Sequence, residues 1–90
     1  MYSKIVVVVN KKGLHARPAS DFVTKAQKYA SDITVRRTDI EGGKPINAKS
    51  IMQVLAAGIT GGTEIEVTAE GEDERHAVEE LVEFLENKFE

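Results

Sequence analysis

The chain reads as an α+β protein of two layers, an open-faced sandwich in which helices cover one side of a four-stranded antiparallel sheet. Three observations predict it. Short β-branched runs alternate apolar with polar residues, so each strand buries one face. Other segments repeat apolar residues at three- and four-residue spacing, so each helix buries one stripe. The segments follow one another as β-α-β-β-α-β-α, which sets three helices on one face of the sheet.

Lys4 to Val9 is a β-branched run too brief for a normal helix, closed by the turn residues Asn10-Lys11-Lys12-Gly13. From Ala16 or Pro18 onward, Ala19, Phe22, Val23, Ala26 and Ala30 share one helical face, and this first helix is expected to end near Ser31. Ile33 and Val35 alternate with polar neighbours, residues 39 to 43 supply turn chemistry, and Pro45-Ile46-Asn47 returns as a short strand that Pro45 places at an edge. Ser50 is a hydroxyl N-cap for a two-turn helix through Ile51, Met52, Val54 and Leu55, stopped by Gly58. After Gly61-Gly62, the residues Ile65, Val67 and Ala69 alternate with Glu64, Glu66 and Thr68 as a strand with one wet face. Asp73 and Glu74 open a last helix whose stripe is Val78, Leu81, Val82, Leu85 and Phe89.

Composition narrows the function classes. Ninety residues make one domain over 1–90, with a small core. Cysteine is absent, so disulfides and thiolate metal sites are excluded, and no metal or other cofactor is expected. Nothing approaches the ~18 consecutive apolar residues of a membrane span, and the Met1-Tyr2-Ser3-Lys4 start lacks a signal peptide's apolar stretch, so a cytoplasmic protein without membrane insertion is expected. RNA-recognition modules stack bases on sheet aromatics, yet the first and fourth strands as read here contain none, which argues against nucleic acid. The net charge of −3 is segregated: residues 1–69 carry +4 and residues 70–90 carry −7. Lys11, Lys12, Arg17, Lys25, Lys28 and Lys49 therefore favour an anionic group or an acidic protein surface.

Gly13-Leu14-His15-Ala16-Arg17-Pro18 concentrates the chemistry. His15 stands where the chain leaves a turn and enters a helix, whose first amides lack intrahelical acceptors and gather partial positive charge. Ala16 has no side-chain acceptor to block them, so the backbone of Ala16 and Arg17 is open to a phosphate. Positive charge from Arg17 and the helix start disfavours the imidazolium, leaving neutral imidazole as nucleophile. Arg17 can then hydrogen-bond the phosphoryl product and neutralise charge in the transition state. A surface histidine is more often bland, but Arg17 two residues on, with no carboxylate nearby for a metal site or triad, shifts the reading toward phosphate chemistry.

The stretch Gly13-Leu14-His15-Ala16-Arg17-Pro18-Ala19 resembles the active-site signature of the HPr phosphocarriers of the phosphoenolpyruvate-dependent sugar phosphotransferase system. Asn47-Ala48-Lys49-Ser50-Ile51-Met52 is similar to that family's second signature, and Ala69 to Glu74 to its entry into the last helix. The likeness covers essentially the whole chain. It implies a sheet in order 1-4-2-3, phosphorylation of His15 at Nδ1 by Enzyme I, transfer to sugar-specific EIIA permease components, and assistance by Arg17. It also implies that the matching serine, Ser50, is in some bacteria a regulatory site for an ATP-dependent kinase and its phosphorylase. Gln53 and Ala57 depart from the residues many regulated members show, and the hairpin over 36–44 is longer than in many members, with no function implied for it.

Locally, Ser50 is explained by helix capping alone, while a phosphate there would oppose an acidic partner. Helix two carries more apolar residues than one buried face needs, so Ile51, Met52 and Leu55 are either core or a partner-docking patch, to which flexible Met52 would suit several partners. His76 lies off the last helix's stripe and receives no role. The protein is expected to be a phosphoryl carrier, not a stand-alone enzyme, since no Gly-x-x-x-x-Gly-Lys-Ser/Thr loop is present, and to act as a monomer. A ferredoxin-like small-molecule sensor and a purely regulatory paralogue working through Ser50 remain as competing readings.

Overall fold

A computed structural model describes residues 1–9, 13–14 and 16–86. The elements run β1 (Tyr2–Val7), α1 (Ala16–Gln27), β2 (Asp32–Arg37), β3 (Ile46–Asn47), α2 (Ile51–Ala56), β4 (Glu64–Glu70) and α3 (Glu74–Glu86). The strands pair antiparallel throughout in the order β1-β4-β2-β3. Opposing Val6 with Ile65, Val35 with Val67 and Ile33 with Ala69, the register turns all six side chains to one face, where all are buried. Phe22 of α1, Val54 of α2 and Leu81 and Leu85 of α3 close over them, so the three helices share that face. The other face is open to solvent, exposing Ile5 and Val7 of β1 beside polar residues tied by a 3.0 Å hydrogen bond between the hydroxyls of Ser3 and Thr68 and an Arg36–Glu66 ion pair at 3.1 Å. β3 sits at an edge immediately after Pro45, as a residue without an amide donor requires.

Two elements differ in their bounds from the sequence-based expectation, α1 at its end and β1 at both ends, since β1 stops at Val7 and not at Val9. β1 begins two residues earlier and includes Tyr2, but its hydroxyl donates to Glu79 of α3 at 3.1 Å and Arg75 covers its ring at 5.2 Å, so the aromatic faces the helices. The open face therefore has no aromatic platform among the described residues. α1 stops at Gln27, short of Ser31, and Ala30 is exposed. Tertiary partners end it: the Lys49 ammonium donates to the Tyr29 carbonyl at 2.6 Å, while the Asp73 carboxylate accepts from the amides of Ala30 at 2.8 Å and Ser31 at 3.0 Å. Phe89, expected on the α3 stripe, lies outside the described residues.

Candidate functional site

The site is built upward from Gly13. Its φ of 66° belongs to the left-handed region, and a Cβ there would lie 2.3 Å from the Ile59 carbonyl oxygen and 2.4 Å from the Thr60 Cα, so glycine alone fits. This close approach lets the Leu14 amide donate to the same Ile59 carbonyl at 2.9 Å, with the Leu14 side chain sunk in the core. The segment leading to His15 is thus seated on the chain leaving α2. His15, Lys11 and Lys12 lie outside the described residues. α1 begins at Ala16 and keeps Pro18 in its first turn, where the missing amide costs nothing. Among the described residues, no acceptor takes the Arg17 amide, and exposed Arg17 pairs with no carboxylate. The first turn has no acidic residue to compete for a phosphate.

Ser50 is the N-cap of α2: its backbone is extended (φ −107°, ψ 112°) and its hydroxyl accepts from the Gln53 amide at 3.3 Å. Gln53 then reaches back, its side-chain oxygen accepting from the Asn47 amide at 2.8 Å, while the Asn47 side chain accepts from the Lys49 amide at 2.9 Å. Gly58, at φ 65°, follows the C-cap Ala57 in the conformation that ends helices. Of the helix's apolar residues only Val54 is buried. Met52 is 76% exposed, and Ile51 and Leu55 are 36% and 40% exposed, so these three form one outward patch beside the capped end.

The cations divide differently from the expectation that all surround the site. Lys49 is taken up by the Tyr29 carbonyl, and Lys25 pairs with Glu80 of α3 at 3.5 Å. Arg17 and Lys28 remain unpaired among the described residues. His76 is exposed and meets Tyr29 edge-on at 5.6 Å, a contact that calls for no chemistry. Among the described residues no group of His, Cys, Asp or Glu could hold a metal ion, and no helix is long and apolar enough to cross a membrane.

Gln53 and Arg37 escaped the sequence reading as site-shaping residues. The signal for Gln53 was its place three residues after an N-cap serine. For Arg37 it was a charge on the inward register of Ile33 and Val35, followed two residues later by Asp39.

Residues 2–87 match the family model described as the PTS HPr component phosphorylation site. The phosphocarrier protein HPr of Haemophilus influenzae is 45% identical over 82 residues, covering 91% of this chain and 92% of the relative. Among solved structures, HPr-C-His from Thermoanaerobacter tengcongensis superposes with a TM-score of 0.87 at 41% identity, covering 96% of this chain and 92% of that one. An HPr dimer from the same organism gives 0.71 at 41% identity, covering 96% and 94%. With the sheet order, the glycine seat ahead of His15 and the capped α2 all in place, the chain belongs to the HPr phosphocarrier family of the phosphotransferase system.

Proposed function

We propose that the chain carries a phosphoryl group on Nδ1 of His15, taking it from phosphorylated Enzyme I and delivering it to sugar-specific EIIA components. In each transfer the attacking nitrogen forms a bond to phosphorus as the donor's bond to the same phosphorus breaks, and the reverse holds on delivery. The observation that supports this reading best is the open start of α1, where the Arg17 amide meets no acceptor among the described residues and the Arg17 side chain is exposed. These donors suit the oxygens of a phosphohistidine, each bond to the anion being roughly twice as strong as a neutral one. The chain supplies nucleophile, anion seat and docking surface, and its partners supply and remove the phosphoryl group, so it works as a carrier and not as a stand-alone enzyme.

The exposed patch of Ile51, Met52 and Leu55 is the docking surface in this reading, with Arg17 and Lys28 steering acidic partners. Ser50 borders it, so a phosphate on that hydroxyl by a serine kinase would repel an acidic partner without unfolding α2. The working form is a cytoplasmic monomer.

Incubation with phosphoenolpyruvate and Enzyme I, followed by phosphorus NMR and mass-spectrometric site mapping, tests the reading. A phosphohistidine signal mapped to residue 15, lost in His15→Ala and slowed at least tenfold in Arg17→Ala, is expected. No phosphohistidine in the wild type, with transport unaffected by His15→Ala, would favour the small-molecule sensor instead.

A further inference from the structure

The long hairpin between β2 and β3 has no part in phosphoryl carriage as proposed, yet Arg37 at its base reaches the chain leaving α2. Alternation along β2 turns Arg37 to the helix side of the sheet, next in register after Ile33 and Val35. Its Nη1 donates to the carbonyls of Ala57 and Gly58, both at 3.2 Å. The rest of the guanidinium grips Asp39 in a fork, Nε to Oδ1 at 3.0 Å and Nη2 to Oδ2 at 2.6 Å. Asp39 thereby holds the planar group in the orientation that presents Nη1 to the loop.

Those two carbonyls open the segment 57–60 on which Leu14 rests. Its downstream end is fixed by Thr60, whose amide and hydroxyl meet the Thr63 hydroxyl at 3.3 and 3.2 Å. Its middle is Ile59, the acceptor for the Leu14 amide and the oxygen against which Gly13 is pressed. At its upstream end, carbonyls past the last turn of a helix have no intrahelical donor, and Arg37 provides one.

We infer that Arg37, oriented by Asp39, is a positioning residue for phosphoryl transfer: it holds the 57–60 loop in place, and that loop sets the backbone of Leu14 immediately before His15. The inference rests on His15 being the phosphorylated residue. A cation at the exit of α2 thus bears on the backbone that leads into residue 15.

Amide hydrogen exchange by NMR, alongside the kinetics of phosphorylation by Enzyme I, separates this from a purely structural role. Arg37→Met keeps the stem and removes the donors. It is expected to speed exchange at Leu14 by about tenfold while Val67 of β4 and Leu81 of α3 keep wild-type rates, because the opening is local. The same variant should lower kcat by about three- to tenfold with KM for Enzyme I near its wild-type value, as a misplaced nucleophile does. Arg37→Lys and Asp39→Ala should fall between Met and wild type. Leu14 exchange at the wild-type rate, a uniform rise at all three amides, or a change in KM with kcat intact would overturn the inference. Wild-type protein that takes no phosphate on His15 would defeat the carrier reading, and the exchange data would still report on the strut by itself.

Discussion

Gly13 shows how one missing atom serves the site. Any side chain at this position must both adopt a left-handed φ and displace the Ile59–Thr60 backbone, which a flexible neighbour cannot absorb. Gly13→Ala is expected to lose about 2–3 kcal/mol in urea denaturation, more than the conformational term alone. Gly62→Ala provides the control: φ is 89° but no atom lies within 4 Å of the new Cβ, so only the backbone strain of about 1 kcal/mol is expected. Equal losses in the two variants would mean that the close approach at Ile59 contributes nothing.

Helix α2 has six residues, well under the ~12–15 at which an isolated helix becomes marginally stable, so its existence is owed to its ends and to Val54. Ser50 and Gln53 tie down one end, and Arg37 and Gly58 the other. That arrangement frees Ile51, Met52 and Leu55 to point outward, since the core needs one contact only. Ser50→Ala should reduce stability by about 1 kcal/mol through the lost cap. Ser50→Asp can still cap, and its stability should stay within about 0.5 kcal/mol of wild type while calorimetric affinity for Enzyme I falls through like-charge repulsion. An aspartate variant that binds as tightly as wild type would remove the electrostatic argument for regulation at Ser50.

Across the whole molecule, Asp73 joins the end of α1 and the start of β2 to the entry of α3. The Ser31 hydroxyl above all, then the Ala30 and Ser31 amides, donate to its carboxylate and hold it below the ordinary value of 3.8. Glu74 beside it is lowered too, first by the Gly71 amide and then by the Met1 amine. A depressed folded pKa means the folded protein resists protonation. The stabilisation is complete above the unfolded value and disappears as pH falls through the lower, folded value. Asp73→Asn should therefore melt below wild type at neutral pH, and the two melting curves should converge under strong acid, leaving a residual pH slope from Glu74. A constant gap between the two melting temperatures from pH about 7 to about 2 would show that Asp73 acts without its charge.

Sequence alone was enough for whatever depends on neighbours along the chain. Alternation in Ile65-Glu66-Val67-Thr68-Ala69 defined a strand with one wet face, Ser50 before an apolar run defined a capped helix, and the stretch from Gly13 to Pro18 stood out as the candidate site. Tertiary structure decided what depends on partners far along the chain. α1 ends at Gln27 because Lys49 and Asp73 supply hydrogen bonds that no local stop signal announces. Lys49 looks like a surface cation in the sequence and is consumed by a carbonyl 20 residues away. Arg37 reads as one more charge in a hairpin, and only the packing of β2 beneath the exit of α2 gives its donors their acceptors. Periodicity and capping are set within a few residues, whereas the fate of a long polar side chain is set by whichever backbone group the fold brings within its reach.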